Sequence, residues 1–159
     1  MRKKLGLIAV LALLLSAAGG SLALAGDSSG DDGTRTIHLT AKAVQETEVD
    51  VGEQGFGQGD YFVFGDDLFR DGEKVGTDGG TCTFVRVEEA SATANCVVTL
   101  SLPKGQVTVQ GLVTFAGEGD AAPFVVAVTG GTGAYRTAHG EVEVDPNGDE
   151  ERLTLKLIL

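Results

Sequence analysis

The last run of the chain alternates without a break. Leu153, Leu155, Leu157 and Leu159 stand at every second position, with Arg152, Thr154 and Lys156 between them. A β-strand sends successive side chains to opposite faces, so this run is apolar on one face and polar on the other. The pattern recurs upstream. Val142 and Val144 oppose Glu141, Glu143 and Asp145, while Cys96, Val98, Leu100 and Leu102 share a face, as do Cys82 and Phe84. A strand cannot bury such a face alone, which restricts the chain to stacked sheets or a sheet closed on itself.

Eight β-type runs are predicted, over residues 34–44, 61–69, 81–87, 94–102, 106–115, 123–129, 139–145 and 152–159. Asp71-Gly72, Asp78-Gly79-Gly80, Pro103-Lys104-Gly105 and Pro146-Asn147-Gly148 punctuate them, because these residues favour tight turns. A polar, acidic connection runs up to Gly59, and only residues 133–138 leave room for a helical turn. The expected fold is all-β, an eight-stranded antiparallel barrel. Closure removes the two raw edges that an open sheet would leave. A two-sheet sandwich is the competing arrangement. The second and sixth runs, with Tyr61-Phe62-Val63-Phe64 and Phe124-Val125-Val126, alternate poorly. This predicts burial on both faces, with a filled interior and a subunit contact outside.

The start of the chain reads differently. Arg2, Lys3 and Lys4 precede an apolar run from Leu5 to Leu15, and Ala23-Leu24-Ala25 places small residues where a signal peptidase cuts. Residues 1–25 are expected to be a secretory signal peptide, since a membrane span needs about 20 apolar residues. Residues 26–33 (GDSSGDDG) read as a disordered acidic leader, and residues 34–159 as the folded domain. The expected location is extracellular, with no membrane-embedded part after cleavage following Ala25. Losing Arg2, Lys3 and Lys4 takes the formal net charge from −11 to −14. Such acidity disfavours nucleic acid and anionic membrane surfaces as partners.

Export also bears on the two cysteines. Cys82 and Cys96 flank a polar turn centred on Glu89 and sit on apolar faces. In an oxidising compartment this arrangement favours a structural disulfide over two free thiols. His38 and His139 are the only histidines, and neither has acids or cysteines at ligand spacing, so no metal is expected. Asp66-Asp67 and the stretch from Asp145 to Glu151 lack the regular oxygen spacing of a calcium loop. Gly130-Gly131-Thr132-Gly133 is followed by no Lys-Ser/Thr pair, so it is not a phosphate loop, and no cofactor is expected.

Three blocks carry a family resemblance. Gly130-Gly131-Thr132-Gly133-Ala134-Tyr135, continuing to Ala138-His139-Gly140, resembles a signature shared by plant dirigent proteins and allene oxide cyclases. Gly59-Asp60-Tyr61-Phe62-Val63-Phe64, leading through Asp67-Leu68-Phe69 and Val75-Gly76 to Gly80-Thr81-Cys82, resembles the cyclases' glycine-aspartate opening and later cysteine. Val107-Thr108-Val109-Gln110-Gly111 is similar to their fifth strand, and the blocks follow the family's order. The resemblance implies a barrel that holds a small apolar molecule and steers its cyclisation, isomerisation or coupling. It also implies a homo-oligomer, dimeric or trimeric. The signature residues Gly130, Gly131, Thr132, Gly133, Tyr135, Ala138 and Gly140 are read as fold-specifying. In that reading Tyr135 plugs one end and Arg136 binds a carbonyl or carboxylate.

Two departures shape the functional expectation. The cyclases use a carboxylate on their first strand, yet no acid appears here before Glu46, which argues against allene oxide cyclisation itself. His139 stands where dirigent proteins usually carry arginine, introducing a group that can titrate near neutral pH. His38, Thr40, Gln110, Tyr135, Arg136 and His139 are the candidate cavity residues. The alternative is a non-catalytic secreted barrel that binds a ligand or builds an assembly.

Overall fold

The computed structural model describes residues 33–116, 122–148 and 150–159. The cleavage point after Ala25 and the leader up to Asp32 lie outside the described residues. Eight strands appear in order: β1 (Thr34–Val49), β2 (Tyr61–Arg70), β3 (Glu73–Glu88), β4 (Ser91–Leu102), β5 (Gly105–Ala116), β6 (Phe124–Gly131), β7 (His139–Asn147) and β8 (Glu150–Ile158). Each pairs antiparallel with the next, and β8 returns to β1, closing the barrel. The sandwich is thereby excluded. One 3₁₀ turn, Gly133–Tyr135, lies between β6 and β7.

The period-two faces become the inside and outside of the wall. Leu153, Leu155 and Leu157 are buried, whereas Leu159 lies beyond the end of β8 and is exposed. Val142 and Val144 point inward from β7, as do Val107, Val109 and Val113 from β5. On the outer surface Lys156 pairs with Glu141, its register partner on β7, and with Glu143 two residues along. Cys82 and Cys96 are register partners on β3 and β4 and form a disulfide.

Two sequence expectations change. Asp78-Gly79-Gly80 is not a turn but lies inside β3, which starts at Glu73. The preceding hairpin is made by Asp71 and Gly72 alone, both with positive φ (52° and 83°), the handedness that a two-residue turn between twisted strands requires. Gly80 is small because the wall is crowded there: a Cβ would meet Val97 O and the Phe64 ring at 2.8 and 2.9 Å. The second difference concerns β2 and β6. Within the single chain they are buried on one face only, with Val63 38% and Val125 53% exposed. Their poor alternation reflects apolar residues on an outer face, which Val97 and Leu112 extend.

β1 continues five residues past its predicted end and contains a bulge. Its register with β2 shifts between Ala43 and Gln45, leaving Val44 unpaired. An extra residue reverses the in–out parity of everything after it. Ile37, Leu39 and Ala41 face the core before the bulge, and Glu46 and Glu48 face the barrel mouth after it.

Candidate functional site

The interior holds one large cavity of about 820 Å³, a size suited to a small organic molecule. It opens where β1, β3, β5 and β7 end and β2, β4, β6 and β8 begin. The chain has seven phenylalanines, and six of them line this space: Phe56, Phe62, Phe64, Phe84, Phe115 and Phe124. Phe62, Phe84 and Phe115 form a ring triangle with centroids 5.9 to 6.1 Å apart. Phe56 adds an edge-to-face contact at 4.7 Å to Phe84. The seventh, Phe69, lies outside near the Lys42 ammonium. The disulfide also forms part of the cavity wall.

Phe56 comes from the connection between β1 and β2, and a buried carboxylate holds that connection in place. Asp60 accepts hydrogen bonds from the Val51 amide at 2.8 Å and the Gly57 amide at 2.7 Å. Its own carbonyl accepts from Phe84 N, and Gly59 N donates to Phe84 O, tying the loop to β3. These four bonds carry Phe56 to the mouth and explain why Asp60 is only 6% exposed.

Below the rings the wall turns acidic. On β2 the inward side chains run Phe62, Phe64, Asp66 and Leu68, and Asp66 faces Asp78 across the register with β3. Glu151, at the start of β8, completes a trio. Burial pushes the Asp78 carboxyl up to about 7, and the Asp66 charge, the Asp66 hydrogen bond and the Glu151 charge add to the shift. Burial also raises Asp66 and Glu151, the latter with help from the Asp66 charge. Among the described residues no protein group hydrogen-bonds the buried Asp78 Oδ1, and a buried acceptor without a donor disfavours the ionised form. A carboxyl in this state holds a proton near neutral pH and can give or take one. Among the described residues, no three histidine, cysteine or acidic side chains are placed to hold a metal ion.

The residues singled out from the sequence sit elsewhere. His38 lies between inward Ile37 and Leu39, so it faces solvent, with Nδ1 3.3 Å from Thr154 Oγ1. Thr40 shares that outer face. Gln110 is flanked by inward Val109 and is also outside, donating to Asn95 Oδ1 at 3.2 Å. His139 is exposed beside the Thr137 carbonyl, and Arg136 is exposed as well. Tyr135 is buried at the opposite end of the barrel, beside Arg35, in a separate space of about 130 Å³. None of the six lines the large cavity. The residues that do were legible by parity. Asp66 shares its parity with Phe62 and Phe64, Asp78 with Cys82 and Phe84, and Glu151 with the leucines of β8. An acid on an apolar face is the signal that sequence reasoning passed over.

The comparisons agree with this geometry. A model of the allene oxide cyclase barrel-like domain matches residues 35–159. Among solved structures, a pyocyanin demethylase is 34% identical, with a TM-score of 0.66 over 76% of this chain and 98% of that one. A Diels–Alderase from Streptomyces koyangensis is 19% identical, with a TM-score of 0.63 over 81% of this chain and 69% of that one. A pterocarpan synthase dirigent protein is 18% identical, with a TM-score of 0.57 over 79% and 94%. A search of the curated proteins finds no match. A closed eight-strand wall matched along nearly its whole length decides the family: the chain belongs to the allene oxide cyclase barrel-like domains.

Proposed function

We propose that this barrel binds a small, flat, mostly apolar molecule in its large cavity and moves a proton on it through Asp78. The observation that carries the reading is a carboxyl pushed up to about 7 in the wall of a phenylalanine-lined space. General acid–base catalysis is most effective when the group's pKa lies near the working pH. Burial, reinforced by Asp66 and Glu151, keeps Asp78 there. The rings hold the guest in one conformer away from water, which favours intramolecular steps such as cyclisation and isomerisation. Proteins of similar fold include a cyclase that catalyses a [4 + 2] cycloaddition and a pterocarpan synthase dirigent protein. The relative at 34% identity acts on pyocyanin, which makes pyocyanin the first compound to try.

The test incubates purified protein with pyocyanin and a panel of flat polycyclic compounds, measuring binding by calorimetry and products by mass spectrometry. The wild type is expected to bind and convert at least one, and Asp78→Asn to bind it while losing about 100-fold or more in rate. Binding without turnover by either protein would favour the non-catalytic alternative. Conversion unaffected by D78N would overturn the role of Asp78. The protein is further proposed to work after export, as a homo-oligomer that covers Val63, Val97, Leu112 and Val125. Sedimentation as a monomer at micromolar concentration would overturn the assembly.

A further inference from the structure

The carboxylates of this barrel fall into two groups with different neighbours. Those on the outer wall face cations: Lys42 lies 2.5 Å from Glu150, Lys74 2.6 Å from Asp67, and Arg152 2.9 Å from Asp145. Among the described residues those on the inner wall do not, except Glu88, whose carboxylate lies 3.8 Å from the Arg86 guanidinium. Asp66, Asp78 and Glu151 lie below the rings, and Glu46, Glu48, Glu88 and Glu89 stand around the mouth. Among the described residues, no lysine, arginine or histidine lines the same cavity. A guest crossing the mouth therefore meets an excess of negative charge, in a confined space where screening by salt is weaker than at an open surface.

The rings add a second attraction of the same sign. Aromatic faces carry negative potential and attract cations within about 6 Å of the ring centre, more strongly when water is excluded. Phe56, Phe62, Phe84 and Phe115 cluster at the acidic mouth, with neighbouring centroids 4.7 to 6.1 Å apart. Deeper in, Asp78 Oδ1 is an acceptor that no protein group uses. Ring potential, the rim carboxylates and the spare acceptor all favour a positively charged guest, and the first two oppose an anionic one.

We infer that the cavity selects planar aromatic cations, such as N-alkylated or ring-protonated heteroaromatic compounds, over neutral analogues, and rejects carboxylate-bearing ones. This specificity rests on the ligand-binding role proposed for the same cavity and names its substrate class. Glu46 and Glu48, exposed on the rim, are the specificity-determining residues easiest to change without disturbing the wall.

The probes are N-methylacridinium, neutral acridine and acridine-9-carboxylate, which share one ring system and differ in charge. Their affinities for the full domain are measured by fluorescence titration at physiological ionic strength. N-methylacridinium is expected to bind about tenfold or more tighter than acridine, with the carboxylate weakest. In the double variant E46Q/E48Q the gap between cation and neutral compound is expected to narrow at least about threefold. Equal or tighter binding of acridine, tightest binding of the carboxylate, or a cation preference unmoved by E46Q/E48Q would each overturn the charge selection while leaving the cavity's ligand-binding role intact. Failure of all three probes to bind would overturn both.

Discussion

Replacing Asp78 by asparagine keeps the shape of the side chain and removes its charge, so the variant isolates the ionisation of one buried group. In the folded protein the carboxyl is pushed from 3.8 up to about 7, first by burial and then by Asp66 and Glu151. Between those values the folded state binds the proton and the unfolded state releases it. The folded state then binds more protons, so this group's contribution makes stability fall as pH rises from 3.8 to about 7. At about 1.4 kcal/mol per pH unit, the full interval caps the penalty at about 4 kcal/mol. Residual solvent contact roughly halves it. Part of the penalty is already present near pH 5, so the advantage of D78N over wild type should grow by about 1–2 kcal/mol between about pH 5 and pH 8. That corresponds to roughly 3–8 °C in melting temperature for a domain of this size. Thermal and urea unfolding of both proteins at the two pH values read the difference directly. An advantage that stays constant, or shrinks as pH rises, would refute the reasoning, because the carboxyl would then not be held protonated by the fold.

Three further perturbations probe different parts of the structure. Leu155 is fully buried between Leu153 and Leu157, and L155A should cost about 2–5 kcal/mol in urea unfolding, the usual range for a leucine removed from a packed core. The disulfide closes a loop of 14 residues, so reduction, or the C82S/C96S variant, should lower stability by about 3 kcal/mol while leaving the β circular dichroism spectrum in place. A change below about 0.5 kcal/mol would mean that the bond adds little constraint. Asp60→Ala removes the acceptor for the Val51 and Gly57 amides, and hydrogen exchange over residues 50–59 should accelerate while exchange in β5 and β8 stays slow.

The barrel was legible because one physical rule, alternation, holds wherever a strand has one face in the core and one in water. The runs that break it show where the rule stops. β2 and β6 carry valine on the outside, so their sequence is apolar on both faces although the wall has only one core side. Asp78-Gly79-Gly80 resembles a turn in isolation, yet those glycines are needed inside β3 where Val97 and Phe64 come close. Propensity alone does not separate a glycine that bends the chain from one that makes room. Glu46 falls beyond the predicted first strand, and Glu48 escapes notice, for a different reason. Only the bulge at Val44 turns them inward, and a bulge is set by pairing with β2 rather than by local sequence. His38 and Gln110 drew attention because polar side chains suggest chemistry, but their parity put them in solvent. Parity with a neighbouring apolar run is the better guide to the inside of a barrel, and it picks out Asp66, Asp78 and Glu151.

The most direct check is a nuclear magnetic resonance titration of the folded domain with N-methylacridinium, following methyl and aromatic signals on both sides of the wall. Shifts concentrated on Phe62, Phe84, Phe115, Val98 and Val109, with Val97 and Leu112 unmoved, are what a guest inside the barrel produces. Shifts confined to Val97, Leu112 and their outer neighbours, or none at saturating ligand, would place binding outside the barrel or nowhere.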